Sequence, residues 1–172
     1  MNENYPSSAV KAAQKIRLVL LDVDGVLTDG RLYYGNSGEE LKAFNIQDGL
    51  GIKLLQRGDI KVGIITGRCS DLVKRRAQEL GIDPLVQGRE DKLTALKEIL
   101  KNIDIKLDEI AFVGDDLPDL AVIRQVGLGI TPANFGGGFR WQPRRHLLGS
   151  VCIPHDHDSG IVGSDQLEHF VD

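Results

Sequence analysis

Seven residues of this chain have the types and positions for chemistry on a phosphate: Asp22, Asp24, Thr66, Lys92, Asp115, Asp116 and Asp119. Asp22 closes an apolar run, Leu18-Val19-Leu20-Leu21. Asp24 follows two residues on, and Gly25 comes directly after it. A run so short and so rich in Leu and Val reads as a buried parallel strand. Its carboxyl end is where open α/β sheets bind ligands, and glycine lets the chain turn there without a Cβ penalty. Taken alone, Asp-Val-Asp-Gly is ordinary turn chemistry. The other strand ends change that reading. Ile60 to Ile65 runs into Thr66-Gly67-Arg68, Ile110 to Val113 runs into Gly114-Asp115-Asp116, and Lys92 stands at the start of a helix. In a parallel sheet all of these ends share one edge.

Five acids on one edge (Asp22, Asp24, Asp115, Asp116 and Asp119) would raise one another's pKa and strain the fold unless a cation lay among them. Hard oxygen ligands with open positions suit Mg²⁺, which keeps waters and pairs with substrate phosphate. Asp22, at the strand tip, is placed to attack phosphorus in line and form an aspartyl-phosphate. Asp24 can protonate the leaving oxygen and then deprotonate the attacking water. The Thr66 hydroxyl, nearby backbone N–H groups and Lys92 would hold the equatorial oxygens as charge spreads over them. Asp115 completes the metal shell, with Asp116 and Asp119 bound directly or supporting it from behind.

The elements that must position these groups follow in order. Ala9 to Lys15 can form a short helix. Two strand-like runs around Gly35-Asn36-Ser37-Gly38 signal a hairpin. Asp48 can cap a helix to Gln56, with Leu50, Leu54 and Leu55 inward and Gly58 as its stop. Ser70 caps a helix through Leu80, closed by Gly81. Pro84 to Val86 is a short strand, Asp91 to Lys101 a helix, Pro118 to Gln125 another, and Leu128 to Ile130 a last strand. Strands alternating with helices predict βαβ units and a largely parallel sheet with right-handed crossovers.

Composition bounds the rest. The 172 residues, 41% hydrophobic and 27% charged, suit one soluble α/β domain. A net charge of −4 gives no reason to expect nucleic acid or an anionic membrane as partner. Two cysteines make no disulfide framework, and no apolar run reaches membrane-spanning length, so a cytoplasmic protein is expected. From Thr131 to Asp172 the helical and strand periods lapse, which divides the chain into a domain at 1–130 and an atypical, irregular or disordered tail at 131–172. The tail holds all four histidines (His146, His155, His157 and His169) and the one tryptophan, Trp141. His155-Asp156-His157-Asp158, with Cys152 and His146, has transition-metal ligand types, but with no supporting strand a disordered segment is the expectation.

Asp22-Val23-Asp24-Gly25-Val26-Leu27-Thr28-Asp29, Ile65-Thr66-Gly67-Arg68, Lys92 and Gly114-Asp115-Asp116-Leu117-Pro118-Asp119 resemble the four motifs of the haloacid dehalogenase superfamily of phosphatases. Phe44-Asn45-Ile46-Gln47-Asp48-Gly49-Leu50-Gly51 narrows the resemblance to its 3-deoxy-D-manno-octulosonate (KDO) 8-phosphate phosphatase family. The match covers about residues 16–130. It implies a Rossmann-like three-layer fold without a cap, and Mg²⁺-dependent hydrolysis of an eight-carbon acidic sugar phosphate made for lipopolysaccharide. By motif, Asp22 is nucleophile and metal ligand, Asp24 is acid/base and binds metal through its carbonyl, and Asp115 is the third protein ligand. Thr66, Gly67 and Lys92 bind phosphate, and Arg68 meets the phosphate or the sugar carboxylate. Such phosphatases tetramerise through their hairpins, a neighbour helping to close each site; Leu32, Tyr33, Tyr34 and Phe44 on a projecting hairpin agree with that. After Ile130 the resemblance stops, which marks either a divergent tail or a reading frame shifted near residue 131.

Other readings stay open at this stage. The same chemistry on a nine-carbon sialic-type acid phosphate, or on another small phosphosugar, fits the motifs equally. A phosphoacceptor signalling domain also clusters Asp, Thr and Lys on a parallel sheet, but its acceptor Asp follows the middle strand, where Thr66 is expected here. An inactive scaffold subunit is the third alternative.

Overall fold

The computed structural model describes residues 7–36 and 40–132, together with the backbone of 151–154. The central element is β1 (Leu18–Leu21), buried along its whole length. It pairs in parallel with β4 (Lys61–Ile65) on one side and β6 (Ile110–Val113) on the other. With β5 (Leu85–Val86), β7 (Leu128–Thr131) and β8 (Val151–Pro154) the sheet order is β5-β4-β1-β6-β7-β8. The pairings are parallel except for β8, which runs antiparallel to β7. The middle of the sheet thus belongs to β1, the strand that carries Asp22, and not to the strand of Thr66. Strand position therefore does not separate this fold from a signalling domain.

Because side chains alternate along a strand, β1 feeds two cores. Val19 and Leu21 pack with Val62, Ile64 and Val113 beneath α2 (Ile46–Arg57) and α3 (Asp71–Leu80), which contribute Ile52, Val73 and Ala77. Leu18 and Leu20 pack with Ile110 and Phe112 beneath α4 (Lys92–Leu100) and α5 (Leu117–Ile123), which contribute Ala95, Leu96 and Val122. This is the three-layer α/β sandwich expected. Ala12 of α1 (Ser7–Ala13) packs against the first core, and Ala9 is buried. Between β1 and β4 lie a two-stranded antiparallel hairpin, β2 (Tyr33–Tyr34) with β3 (Glu40–Leu41), and α2, with no room for a cap domain.

Several local expectations are corrected. The cap of α2 is Asn45, whose side chain accepts the Gln47 N–H, while Asp48 lies in the first turn. The inward residues of α2 are Gly49 and Ile52, with Leu55 packed at the core margin; Leu50 and Leu54 are exposed. Ser70 stands at the N-cap of α3 but makes no side-chain capping bond. Thr131 closes β7, and Val151 to Pro154 adds a strand where none was expected. The hairpin turn at Ser37 and Gly38, the four histidines, Trp141 and the Gly136-Gly137-Gly138 run lie outside the described residues.

Candidate active site

Asp22 leaves β1 at its carboxyl end, its amide donating to the Val113 carbonyl of β6. The loop beyond is wound tightly: the amides of Val26, Leu27 and Thr28 all donate to the Val23 carbonyl, and the Thr28 hydroxyl donates to it as well. Gly25 sits at φ +91°, and a Cβ built on it would lie 1.7 Å from Asp115 Oδ2. The β1 and β6 loops therefore meet backbone against carboxylate, a contact open to glycine alone.

Lys92, at the first position of α4, is 4% exposed, and its Nζ lies 2.9 Å from Asp22 Oδ2 and 2.6 Å from Asp119 Oδ1. Asp119 is fully buried in the first turn of α5, and its Oδ2 accepts the amides of Asp115 and Asp116 at 3.0 and 3.1 Å. Its carboxylate thus braces the β6 loop against Lys92. Gly114 permits this, since a Cβ there would meet Asp119 atoms at 2.4 Å. Asp116 is exposed, and its carboxylate turns to cap α5 through the Leu117 amide.

Three of the five expected acids come together: oxygens of Asp22, Asp115 and Asp119 lie within 4.8 Å of one another. Asp115 Oδ1 is buried and without a hydrogen-bond partner. An unsatisfied buried carboxylate oxygen is costly, and a divalent cation is the partner that answers it. Burial pushes the Asp115 carboxyl up to about 7, helped by the charges of Asp22, Asp119 and Asp116. Burial also raises the Asp22 carboxyl above its ordinary range, against the pull of Lys92. Lys92 is pulled down by burial, but Asp22 and Asp119 outweigh that and hold its ammonium above the usual lysine range. The donor set therefore fits Mg²⁺.

Asp24 is turned away from the cluster. Its Oδ1 lies 2.5 Å from Lys42 Nζ and its Oδ2 3.8 Å from Arg68 Nε. Arg68 in turn donates to the Tyr34 hydroxyl at 3.2 Å. Thr66 is buried at the tip of β4, its amide bonded to the Val86 carbonyl, and Gly67 follows in the loop. Lys42 belongs to none of the sequence motifs; a lysine just after a hairpin strand carries no signal until the hairpin folds back on the β1 loop.

A buried acid at the tip of the central strand, a lysine bridging it to a second acid, and a third acid on the neighbouring loop define a haloacid dehalogenase-like hydrolase. The sequence model of the haloacid dehalogenase-like hydrolases matches residues 85–136. The relatives are narrower. The KDO 8-phosphate phosphatase of Yersinia pestis is 50% identical over 125 residues, 73% of this chain and 67% of its own length. That of Escherichia coli K12 is 48% identical over 128 residues, 74% of this chain and 68% of its own. The crystal structure of the Moraxella catarrhalis enzyme, in complex with magnesium ion, phosphate ion and a KDO molecule, matches with a TM-score of 0.74 at 46% identity, over 76% of this chain and 75% of that one. The chain belongs to the KDO 8-phosphate phosphatase family of haloacid dehalogenase-like hydrolases.

Proposed function

We propose that this chain is a Mg²⁺-dependent phosphatase that hydrolyses the phosphomonoester of KDO 8-phosphate, releasing KDO for lipopolysaccharide synthesis. One observation carries the mechanism: Asp22, Asp115 and Asp119 converge within 4.8 Å, and Lys92 ties two of them together. The Asp22 and Asp115 carboxylates and the Asp24 carbonyl would hold the ion. Bound there, Mg²⁺ neutralises the clustered acids and offsets the charge of the phosphate dianion.

Asp22 attacks phosphorus in line, forming an aspartyl-phosphate as the ester P–O bond breaks. The Asp24 carboxyl gives its proton to the departing sugar oxygen. It then takes one from the water that displaces Asp22. Lys92, the Thr66 hydroxyl and the Gly67 amide hold the equatorial oxygens, and Arg68 meets the phosphate or the sugar carboxylate. Asp119 supports Asp115 by accepting its amide together with that of Asp116, and the Asp116 carboxylate supports the same loop by capping α5.

The same proposal includes a homotetramer. Among the described residues no cap domain covers the site, and Tyr34 and Leu41 of the hairpin stand exposed. On α2, Ile46, Leu50 and Leu54 are 82%, 60% and 55% exposed at a spacing of four residues, one apolar stripe. A cytoplasmic setting belongs with it, since two cysteines make no disulfide framework. Among the described residues no helix is long and apolar enough to cross a membrane.

The test is phosphate release from KDO 8-phosphate with and without Mg²⁺, wild type against Asp22→Asn. Loss on the order of 10⁴-fold or more is expected for the variant, because the nucleophile itself is gone. An Asn variant as fast as its parent would refute the assignment. Parallel assays on nine-carbon acid phosphates read out the sugar.

A further inference from the structure

Lys42 follows β3 in the chain, yet its ammonium ends at the active site. Its side chain is 1% exposed, and Nζ lies 2.5 Å from Asp24 Oδ1. Lysine is almost never buried so completely unless paired, and the desolvation of such a pair is repaid only by close geometry. The opposite oxygen, Oδ2, stands 3.8 Å from Arg68 Nε, and Arg68 is itself held by the Tyr34 hydroxyl. Both ties to Asp24 thus involve the hairpin: one runs directly from the residue after β3, the other through Arg68 to β2.

We propose that Lys42 is the positioning residue for Asp24. It grips Oδ1 and, with Arg68 on the side of Oδ2, fixes the rotamer of the carboxyl. The inference rests on the phosphatase reading and adds no chemical step to it. The ester P–O bond breaks as the Asp22 oxygen bonds to phosphorus, and the Asp24 carboxyl passes its proton to the leaving oxygen. In the second half water bonds to phosphorus as the Asp22 O–P bond breaks, and its proton passes to the Asp24 carboxylate. Geometry of this kind matters because a general acid must lie within hydrogen-bond reach of its target, and a misplacement of about 1 Å can cost roughly 10²-fold.

A mere structural salt bridge would support every substrate alike; a device that aims an acid would not. The value of kcat/KM reports the steps through formation of the aspartyl-phosphate. An alkyl phosphate such as the sugar ester needs a proton in those steps, whereas nitrophenolate leaves from p-nitrophenyl phosphate without one. For Lys42→Met, kcat/KM is expected to fall about 10²-fold on the sugar phosphate, within the range general acids contribute, and by less than about tenfold on the aryl ester. Lys42→Arg, which keeps the cation, recovers most of the sugar-phosphate rate. On an Asp24→Asn background, Lys42→Met adds no more than about twofold, because both changes act through one group. Equal losses on the two esters, or full additivity with Asp24→Asn, overturn the proposal. So does failure of both Lys42 variants to melt cooperatively, which assigns the residue to the fold. A wild-type protein that cleaves neither ester would instead bring down the phosphatase reading itself.

Discussion

Asp115 carries the most perturbed carboxyl of the acid cluster, and the direction of its shift makes the metal-free protein pH-sensitive. Its pKa stands at about 7 in the fold, against an ordinary value of 3.8. Between those values the folded chain holds a proton that the unfolded chain has already lost. Stability therefore falls as pH rises through that window, and the raised Asp22 carboxyl acts in the same direction. Mg²⁺ binds the deprotonated oxygens, so it releases the proton and restores stability where the loss is greatest. With chelator present, the melting temperature is expected to drop between pH 5 and pH 8. Millimolar Mg²⁺ should cancel most of that drop, and Asp115→Asn should flatten the slope without any metal. A chelated wild type that melts at the same temperature at both pH values contradicts this account.

At the scale of the element, the junction of the β1 and β6 loops decides whether the acids can share an ion. Gly25 and Gly30 both sit at positive φ, +91° and +70°. A Cβ on Gly30 meets nothing closer than 3.5 Å, whereas one on Gly25 enters the Asp115 carboxylate. Gly30→Ala should therefore show backbone strain alone, about 1–3 kcal/mol, with Mg²⁺ affinity near wild type. Gly25→Ala adds a collision at the metal ligand and should lose affinity as well, by tenfold or more on the scale of one misplaced support. Calorimetric Mg²⁺ titration of the two variants checks the difference; equal affinities would mean that the contact does not govern the ion.

The same junction shows what a sequence makes plain and what it hides. Apolar runs ending in acids or Thr66 announce strand tips, and a parallel sheet gathers such tips on one edge, so Asp22, Thr66 and Asp115 were legible. Asp119 was legible as an acid near the site, but its task as a bracket for two amides depends on the first turn of α5. Lys42 was not legible, because only the return of the hairpin onto the β1 loop brings it to Asp24. On α2 Leu50 and Leu54 lie on a face that stays outside while Leu55 reaches the core margin, and the spacing does not say which face meets the sheet; Gly49 and Ile52 do. The antiparallel β8 escaped because a single Val-Cys-Ile-Pro run has no period to read.

At the scale of the whole molecule, the governing fact is that among the described residues only a hairpin and α2 lie between β1 and β4, and no cap domain. A site open to water screens the charges that stabilise phosphoryl transfer, and the intervening hairpin and α2 are too small to close it. They instead expose Tyr34, Leu41, Ile46, Leu50 and Leu54. Single exposed apolar residues are ordinary, but a stripe at helical spacing is the surface an oligomer covers. On an isolated monomer Leu50→Glu would be nearly silent, within about 0.5 kcal/mol, as surface changes usually are. In a tetramer it buries a charge at each copy of the contact and should drive dissociation. Sedimentation equilibrium at micromolar concentration is expected to give about four times the 18.9 kDa chain mass for the wild type. Ile46→Glu and Leu50→Glu should shift it to smaller species, with KM for the sugar phosphate rising as the sites open. A wild type that sediments at the chain mass refutes the assembly. Charged variants that keep the wild-type mass would instead clear the α2 stripe of any part in the contact and leave the hairpin to carry it.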